Sequence, residues 1–301
     1  MLRGETLSAH ATGTTLRMMK LAVGEVVEGY RITRFLGRGG FASVYLAQHE
    51  KSGSKVALKV GGISGGGRQV TRLLEVTSRR TSEGISPDEL PAEAVFFEPR
   101  GVRIDLFDQQ EVSAMLRAEG DLLANCEHEN LVAVHDRLMV DNNPVLVLEY
   151  VRGKTLREKI RSLEGIHLNW FLAMVRALVS LQETETLSYH GDLKPENVII
   201  KPSGKAVLLD PALRLPDGLV VTTTPHYNPM LMTDSKADVM AIGIMIYEIL
   251  TGTLPFDEVP WEFAGRQSGG ETQRLSLSYF FSYTPPNALN PKTPEELERI
   301  V

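Results

Sequence analysis

The segment from His190 to Asn197, HGDLKPEN, brings a carboxylate and a carboxamide close together in the chain. Asp192 and Asn197 are five positions apart, in a predicted turn before the apolar strand 198–200. A carboxylate base and an amide oxygen at this spacing can face one substrate. Asp210 ends the next predicted strand, thirteen residues beyond Asn197, and adds a second oxygen donor. Such a pair suits Mg²⁺, which binds through few protein groups and completes its shell with water and phosphate oxygens.

A glycine-rich segment, residues 37–44 (GRGGFASV), lies between two predicted strands. Glycines there allow backbone N–H groups to approach phosphate oxygens, although a simple tight turn uses the same residues. Lys59 follows on the predicted strand 55–60. Strand alternation puts it on the side of Ala57 and opposite Leu58. If the glycine loop covers that side, Lys59 can reach the phosphates.

The elements that must hold these residues are mostly strands in the first half of the chain. Short β-branched runs bounded by turn residues predict an antiparallel meander over 30–60 and further strands at 131–134 and 145–150. Residues 94–97 and 102–106 flank a Pro-Arg-Gly turn and predict a small hairpin.

The second half of the chain is predicted to be mostly helical. Apolar periodicity already begins at Gln110. Beyond Gly153, the apolar stretches 168–181 and 236–250 predict two buried helices. A strand-rich lobe followed by a helical lobe is an α+β arrangement.

In this order and spacing, the motifs resemble the eukaryotic-type protein kinase family, in the form common among bacterial Ser/Thr kinases. The resemblance implies a two-lobed protein-kinase-like fold of the α+β class, with a β-rich N-lobe over 27–151 and a mostly helical C-lobe over 152–301. Residues 1–26 are then an N-terminal extension, and an insert occupies about 61–110. We expect the C-lobe to be truncated, because the last helices of the family's fold have no counterpart here.

The resemblance also implies the catalytic residues. Asp192 matches the catalytic base, and Lys194 matches the lysine that steadies the γ-phosphate. Lys59 matches the strand lysine that pairs with the α- and β-phosphates and with a glutamate of helix C. That glutamate should be Glu119, which precedes the turn at 128–131.

ATP and Mg²⁺ are the cofactors that the resemblance implies, with Asn197 and Asp210 as metal ligands. Leu148 matches the gatekeeper, and the Glu149 carbonyl and Val151 N–H match the hinge groups that bind adenine. The full set of expected nucleotide contacts is Gly37, Gly39, Gly40, Phe41, Ala42, Val44, Ala57, Lys59, Leu148, Glu149, Val151 and Ile199.

Three more residues are expected to support the site. Thr224 resembles the threonine that contacts the catalytic aspartate, and Asp238 resembles a buried anchor on helix F. His190 is expected to be a core histidine that braces the catalytic loop.

The sequence departs from the family's pattern at several positions. Gly191 replaces the arginine that binds a phosphorylated activation loop, which argues against switching by that route. Pro211 and Ala212 replace the Phe-Gly that follows the metal-binding aspartate. Met230 replaces a glutamate that forms a buried ion pair. Lys59 and Glu119 are 60 residues apart, and the insert between them could be a solvated loop or a regulatory flap that positions helix C.

We interpret the chain as a protein kinase that phosphorylates serine and threonine hydroxyls. A pseudokinase that binds ATP as a regulatory scaffold is the main alternative, and the departures at 211, 212 and 230 favour it. A small-molecule phosphotransferase is the third reading, because such enzymes share His-Gly-Asp-x-x-x-x-Asn. Lys194, the glycine loop and the helical stretch 236–252 argue against the third reading.

Composition limits the partners. The chain has 301 residues and a net charge of −6, so no basic excess points to nucleic acid. The single cysteine, Cys126, excludes a disulfide framework and fits a reducing compartment. The longest apolar run, 239–247, is far shorter than the roughly 20 residues that span a bilayer. We therefore expect a cytoplasmic location, a protein substrate and a possible regulatory partner at the insert, with neither a membrane segment nor a secretory signal in this chain.

Overall fold

The computed structural model describes residues 20–39, 41–62, 69–79, 96–107, 109–162, 164–184, 189–213, 224, 226–230, 232, 234–256 and 283–299. Most of the expected extension, residues 1–26, lies outside this part of the chain, as does Gly40 of the glycine loop.

An antiparallel sheet of six strands forms the N-terminal lobe, in the order β1-β2-β3-β4-β8-β7. These strands are β1 (Val26–Val27), β2 (Tyr30–Arg38), β3 (Ala42–His49), β4 (Lys55–Gly61), β7 (Val134–Val140) and β8 (Asn143–Glu149). The strand predicted at 131–134 is wrong. Leu131 and Val132 pair instead with the backbone of Leu208 in the C-terminal lobe, so β7 begins only at Val134.

The side-chain period of two separates the two faces of the sheet. On β4, Val56, Leu58 and Val60 pack into a hydrophobic cluster on one face. Ala57 joins a second cluster on the other face, under a helix. Lys59 lies on the side of Ala57, as strand alternation predicts.

The region predicted as an insert contains a separate two-stranded antiparallel sheet, formed by β5 (Gln69–Arg79) and β6 (Phe96–Phe107). The hairpin predicted within 94–106 is therefore wrong. Residues on both sides of Pro99 belong to one strand, and a register shift opposite Leu74 and Val76 accommodates the proline.

The C-terminal part is helical, with a small sheet in the order β11-β10-β9. The described elements after β6 are α1 (Gln109–Ala124), β9 (Lys154–Thr155), α2 (Leu156–Arg161), α3 (Leu168–Gln182), β10 (Val198–Ile200), β11 (Ala206–Leu208), α4 (Lys236–Thr251), α5 (Pro286–Leu289) and α6 (Glu295–Glu298). Of these described helices, none is both long and apolar enough to cross a membrane.

One hydrophobic cluster connects the two lobes. It contains Ala57 and Leu148 from the sheet, Met115 from α1, Leu208 from β11 and Met245 from α4.

Candidate active site

A buried ion pair joins the sheet to α1. Lys59 stands on β4 opposite Leu146 of β8, and its ammonium points to the helix. Lys59 Nζ lies 2.7 Å from Glu119 Oε1 and 2.8 Å from Glu119 Oε2. The side chains are only 9% and 1% exposed. The helix glutamate inferred from sequence spacing is therefore the residue that meets Lys59.

The same ammonium also reaches the C-terminal lobe, where Asp210 follows β11. Lys59 Nζ lies 3.1 Å from Asp210 Oδ1. Asp210 has a φ of 49°, a left-handed conformation that costs a residue with a Cβ about 1–2 kcal/mol. The following segment is tied down by the Ala212 amide, which donates to the His190 carbonyl at 2.9 Å. Backbone strain at a residue so firmly anchored is typical of functional sites.

The three charges shift one another's pKa values. Burial alone would lower the pKa of Lys59, but the charges of Asp210 and Glu119 outweigh burial and raise it. Burial raises the pKa of Glu119, and Lys59 offsets part of that rise. Partial burial would raise the pKa of Asp210, whose side chain is 45% exposed, but the Lys59 charge and hydrogen bond lower it overall. A permanent cation thus sits between two carboxylates at the junction of the lobes.

Asp192 lies at the centre of the polar groups in the C-terminal lobe. Its Oδ1 accepts a hydrogen bond from Thr224 Oγ1 at 2.7 Å. Its Oδ2 accepts one from Lys194 Nζ at 2.7 Å, and Lys194 Nζ also donates to Thr224 Oγ1 at 2.8 Å. Asn197 Nδ2 donates to the Asp192 carbonyl at 2.9 Å. The contact predicted between Thr224 and Asp192 is confirmed.

A buried scaffold holds the loop that carries Asp192. Asp238, on α4 and 1% exposed, accepts hydrogen bonds from the amides of His190 at 2.6 Å and Gly191 at 2.8 Å. The His190 ring bonds to the Leu209 carbonyl at 2.8 Å and accepts from the Asp192 amide at 3.3 Å. The expected anchoring by Asp238 and bracing by His190 are both confirmed.

The described residues of the glycine loop adjoin the strand that pairs with the Lys59 strand. The Gly39 amide donates to the Ala42 carbonyl at 2.8 Å, and Val44 lies directly opposite Lys59 in the β3–β4 register. A Cβ built on Gly37 has no atom within 4 Å, so this glycine borders open space. Phe41 is 4% exposed and packs into the shared hydrophobic cluster.

Apolar residues of both lobes share one cluster with Phe41 of that loop. Ala57 and Leu148 are paired across β4 and β8 and belong to the shared cluster. Val151 is buried in the same cluster, and Ile199 packs against it from β10. Glu149 leaves β8 here, with Lys201 Nζ 2.7 Å from its Oε1. The structure therefore brings these expected nucleotide contacts together from separate elements.

The donor set at the end of β11 fits a magnesium ion. Asn197 Nδ2 lies 3.4 Å from the backbone carbonyl oxygen of Asp210, so the Asn197 side chain lies next to the Asp210 backbone. Among the described residues, none donates a hydrogen bond to Asn197 Oδ1 or Asp210 Oδ2. One carboxylate and one amide oxygen are hard ligands of the kind that Mg²⁺ prefers.

A network around Arg157 was not anticipated. Arg157 Nε lies 2.7 Å from Glu196 Oε1, and the guanidinium also bonds to Glu248 and to the Tyr227 hydroxyl. These residues are 39 to 91 positions from Arg157 in sequence. No local pattern in the sequence connects them.

Comparison with known proteins agrees with the geometry. The family described as "Protein kinase domain" matches residues 104–267, more than half of the chain. The serine/threonine-protein kinase PrkC of Bacillus subtilis is 25% identical over 93% of this chain and 38% of its own length. The probable serine/threonine-protein kinase PknB of Lactococcus lactis is 26% identical over 93% of this chain and 39% of its own length. The chain thus spans less than half the length of these relatives.

Two solved structures share the fold. The apo form of PpkA-294 covers 93% of this chain and 91% of its own, with a TM-score of 0.61 and 18% identity. The PknI kinase domain of Mycobacterium tuberculosis covers 93% of this chain and 91% of its own, with a TM-score of 0.55 and 20% identity. The expected two-lobed α+β fold is confirmed. With more than half of its residues matched by the family and the fold shared with kinase structures, the chain belongs to the protein kinase family.

Proposed function

We propose that this protein transfers the γ-phosphoryl group of ATP to serine or threonine hydroxyls of proteins. The observation that carries the proposal is the polar arrangement at the lobe junction. Lys59 bonds to both Glu119 and Asp210, while Asp192 is held by Lys194 and Thr224 on the neighbouring loop. Phosphoryl transfer depends on alignment and charge neutralisation, and this arrangement supplies both.

Asp192 is the proposed base. Its carboxylate is fixed by hydrogen bonds from Thr224 and Lys194, so it can be directed at an incoming hydroxyl without reorganisation. In the proposed reaction, a substrate hydroxyl oxygen attacks the γ-phosphorus and the bond to the β-phosphate oxygen breaks. The hydroxyl proton passes to Asp192, and ADP leaves with the bonding electrons.

The lysines are the proposed partners of the phosphates. Lys59 is a permanent cation held on one side by Glu119, and Lys194 lies beside the base, where the γ-phosphate has to sit. Asn197 and Asp210 would hold Mg²⁺, which, when bound, offsets charge on the β- and γ-phosphates. Asp210 suits this role because its side chain is 45% exposed, unlike that of Glu119.

Adenine is proposed to lie in the apolar space between the lobes. Ala57 and Leu148 would cover one face of the ring, and Ile199 the other. Glu149 ends β8 and Val151 follows it, and the Glu149 carbonyl and the Val151 N–H would bind the ring edge. The glycine loop, with Gly37 and Gly39, would close over the phosphates.

The choice of a Ser/Thr protein substrate rests on Lys194 and on the relatives. Lys194 stands two residues after the proposed base, as in Ser/Thr kinases. PrkC and PknB are both named serine/threonine-protein kinases. A regulatory partner at the insert, the lobe boundaries and the assigned site roles stay predictions.

The direct test is incubation with γ-labelled ATP, Mg²⁺ and a generic protein substrate, followed by identification of the labelled amino acid. We expect label on phosphoserine and phosphothreonine, and its loss in Asp192→Asn. ATP binding without transfer by the wild type would contradict the proposal and indicate a pseudokinase. Transfer to small hydroxyl compounds but not to protein would indicate a small-molecule phosphotransferase.

A further inference from the structure

Arg157, on α2, is held by three groups from three different elements. Its Nε bonds to Glu196 Oε1 at 2.7 Å, and its two terminal nitrogens bond to Glu248 and to the Tyr227 hydroxyl. Glu196 belongs to the loop of Asp192, and Glu248 lies on α4. The Arg157 and Glu248 side chains are only 15% and 12% exposed. A guanidinium that is largely buried and hydrogen-bonded through all three nitrogens is a fixed anchor.

Tyr227 links the Arg157 anchor to the proposed base. Its hydroxyl donates to Glu248 Oε2 at 2.6 Å, and the Arg157 guanidinium lies 5.9 Å from its ring centroid. The amides of Tyr227 and Asn228 bond to the Thr224 carbonyl at 2.9 and 3.1 Å. Thr224 in turn bonds to Asp192 and Lys194. An unbroken series of contacts therefore runs from Arg157 to the base.

The charges of the network suit a permanent anchor. Burial alone would lower the pKa of Arg157, but hydrogen bonds to Glu248 and Glu196 outweigh it and raise the pKa. Burial and Glu248 raise the pKa of Tyr227, so its hydroxyl stays protonated and keeps its donor role. The network needs no phosphate group to complete it.

We propose that Arg157 is a positioning residue that holds the turn of Thr224, Tyr227 and Asn228 against the catalytic loop. Arg157 then anchors this turn in place of the arginine that Gly191 replaces and the glutamate that Met230 replaces. This inference rests on the proposed function, because the value of the fixed turn lies in placing Thr224 and the substrate beside Asp192.

The first test is amide hydrogen exchange, which does not depend on activity. Arg157→Gln removes a buried, charge-assisted set of bonds, so peptides containing Tyr227 and Asn228 should exchange about 10- to 100-fold faster. Arg157→Lys should restore part of the protection, because an ammonium cannot hold all three partners. Arg31→Gln is the matched control, since Arg31 pairs with Glu50 on the exposed surface of the other lobe. Unchanged exchange in Arg157→Gln would overturn the proposal.

The second test compares the effect of the substitution on kcat/KM for the protein substrate with its effect on the KM for MgATP. Arg157→Gln should lower kcat/KM for the protein substrate about 10- to 100-fold and leave the KM for MgATP within about twofold. Combining it with Tyr227→Phe should add little further loss, because both residues act through one network. If Arg157→Gln impairs the kinetics for MgATP as much as those for the protein substrate, a positioning role is contradicted. Additive losses in the double variant would contradict it as well. If the wild type transfers no phosphate, the proposed function fails, and the exchange experiment still decides the role of Arg157.

Discussion

At the scale of single residues, Lys59 determines the electrostatics of the lobe junction. It is the one cation bonded to both Glu119, whose side chain is 1% exposed, and Asp210, whose side chain is 45% exposed, among the residues that the structure describes. Glu119 therefore depends on Lys59 for its charge, whereas Asp210 retains access to solvent. This asymmetry supports the proposal that Asp210, rather than Glu119, binds a metal ion brought in with the nucleotide.

Replacing Lys59 by Met should leave Glu119 buried without a cation. We expect the free energy of unfolding to fall by about 3–5 kcal/mol at neutral pH. Burial already raises the folded-state pKa of Glu119, and removing Lys59 raises it further. Glu119 is therefore penalised when ionised, so the loss should shrink as pH falls and the carboxyl protonates.

Urea denaturation at about pH 5 and about pH 8 measures this difference. Lys55→Met is a fitting control, because Lys55 is an exposed lysine on the same strand. A loss that is equal at the two pH values, or no larger than that of Lys55→Met, would show that the buried pair is not the cause.

The sequence predicts particular contacts where a short motif carries the residues that make them. Motifs that resemble a family predict the contact of Asp192 with Thr224 and the contact of Asp238 with the loop that carries Asp192. The positive φ of Asp210 and the Arg157 network do not follow, because they depend on tertiary contacts. A guanidinium partner 91 residues away leaves no periodic or local signal.

At the scale of elements, the chain leaving β8 must pass very close to β10. A Cβ added to Gly153 would lie 2.3 Å from the Ile200 carbonyl oxygen and 2.6 Å from Ile199 Cγ2. Since the oxygen belongs to backbone that pairs with β9 and β11, it cannot move aside cheaply. Glycine at 153 is therefore a requirement of the connection between the lobes.

Gly153→Ala should destabilise the protein by about 2 kcal/mol or more, because the added methyl group has no space. It should also raise the KM for ATP, since the displaced Ile199 lines the proposed adenine space. Gly165→Ala provides the comparison, as a Cβ there meets nothing within 4 Å. If the two variants have the same Tm, the close approach of residue 153 to Ile200 is contradicted.

Element prediction failed where non-local pairing decides the structure. The residues flanking Pro99 lie in one long strand because a partner strand 69–79, distant in sequence, accepts a register shift there. Leu131 does not begin β7 because Leu208 of the other lobe takes its backbone pairing. By contrast, the local bond between the Ala212 amide and the His190 carbonyl forms with Pro211 and Ala212 in place of Phe-Gly.

At the scale of the whole molecule, a shared hydrophobic cluster and a few polar links hold the lobes together. The Glu149–Lys201 pair and the Lys59–Asp210 pair both cross from one lobe to the other. The proposed nucleotide site lies between these links, so a ligand there contacts both lobes. The two-lobed α+β architecture was predictable from the order of strand and helix patterns, whereas the path of the insert was not.

Binding of MgATP across the lobes should stabilise the folded protein. At a ligand concentration about 100 times Kd, linkage predicts roughly 2.7 kcal/mol of added stability, visible as a higher Tm. Removing Mg²⁺ with a chelator should reduce the shift, and Asp210→Asn should lose the magnesium-dependent part. An unchanged shift after chelation would contradict the assignment of Asn197 and Asp210 as metal ligands.

The most direct test of the central claim compares nucleotide binding and phosphoryl transfer in wild type and Asp192→Asn. If Asp192 is the base, the variant should bind MgATP with a Kd within about twofold of wild type, while kcat falls by about 10²- to 10⁴-fold. Retention of wild-type kcat by Asp192→Asn, or a loss of transfer explained entirely by lost MgATP binding, would contradict it.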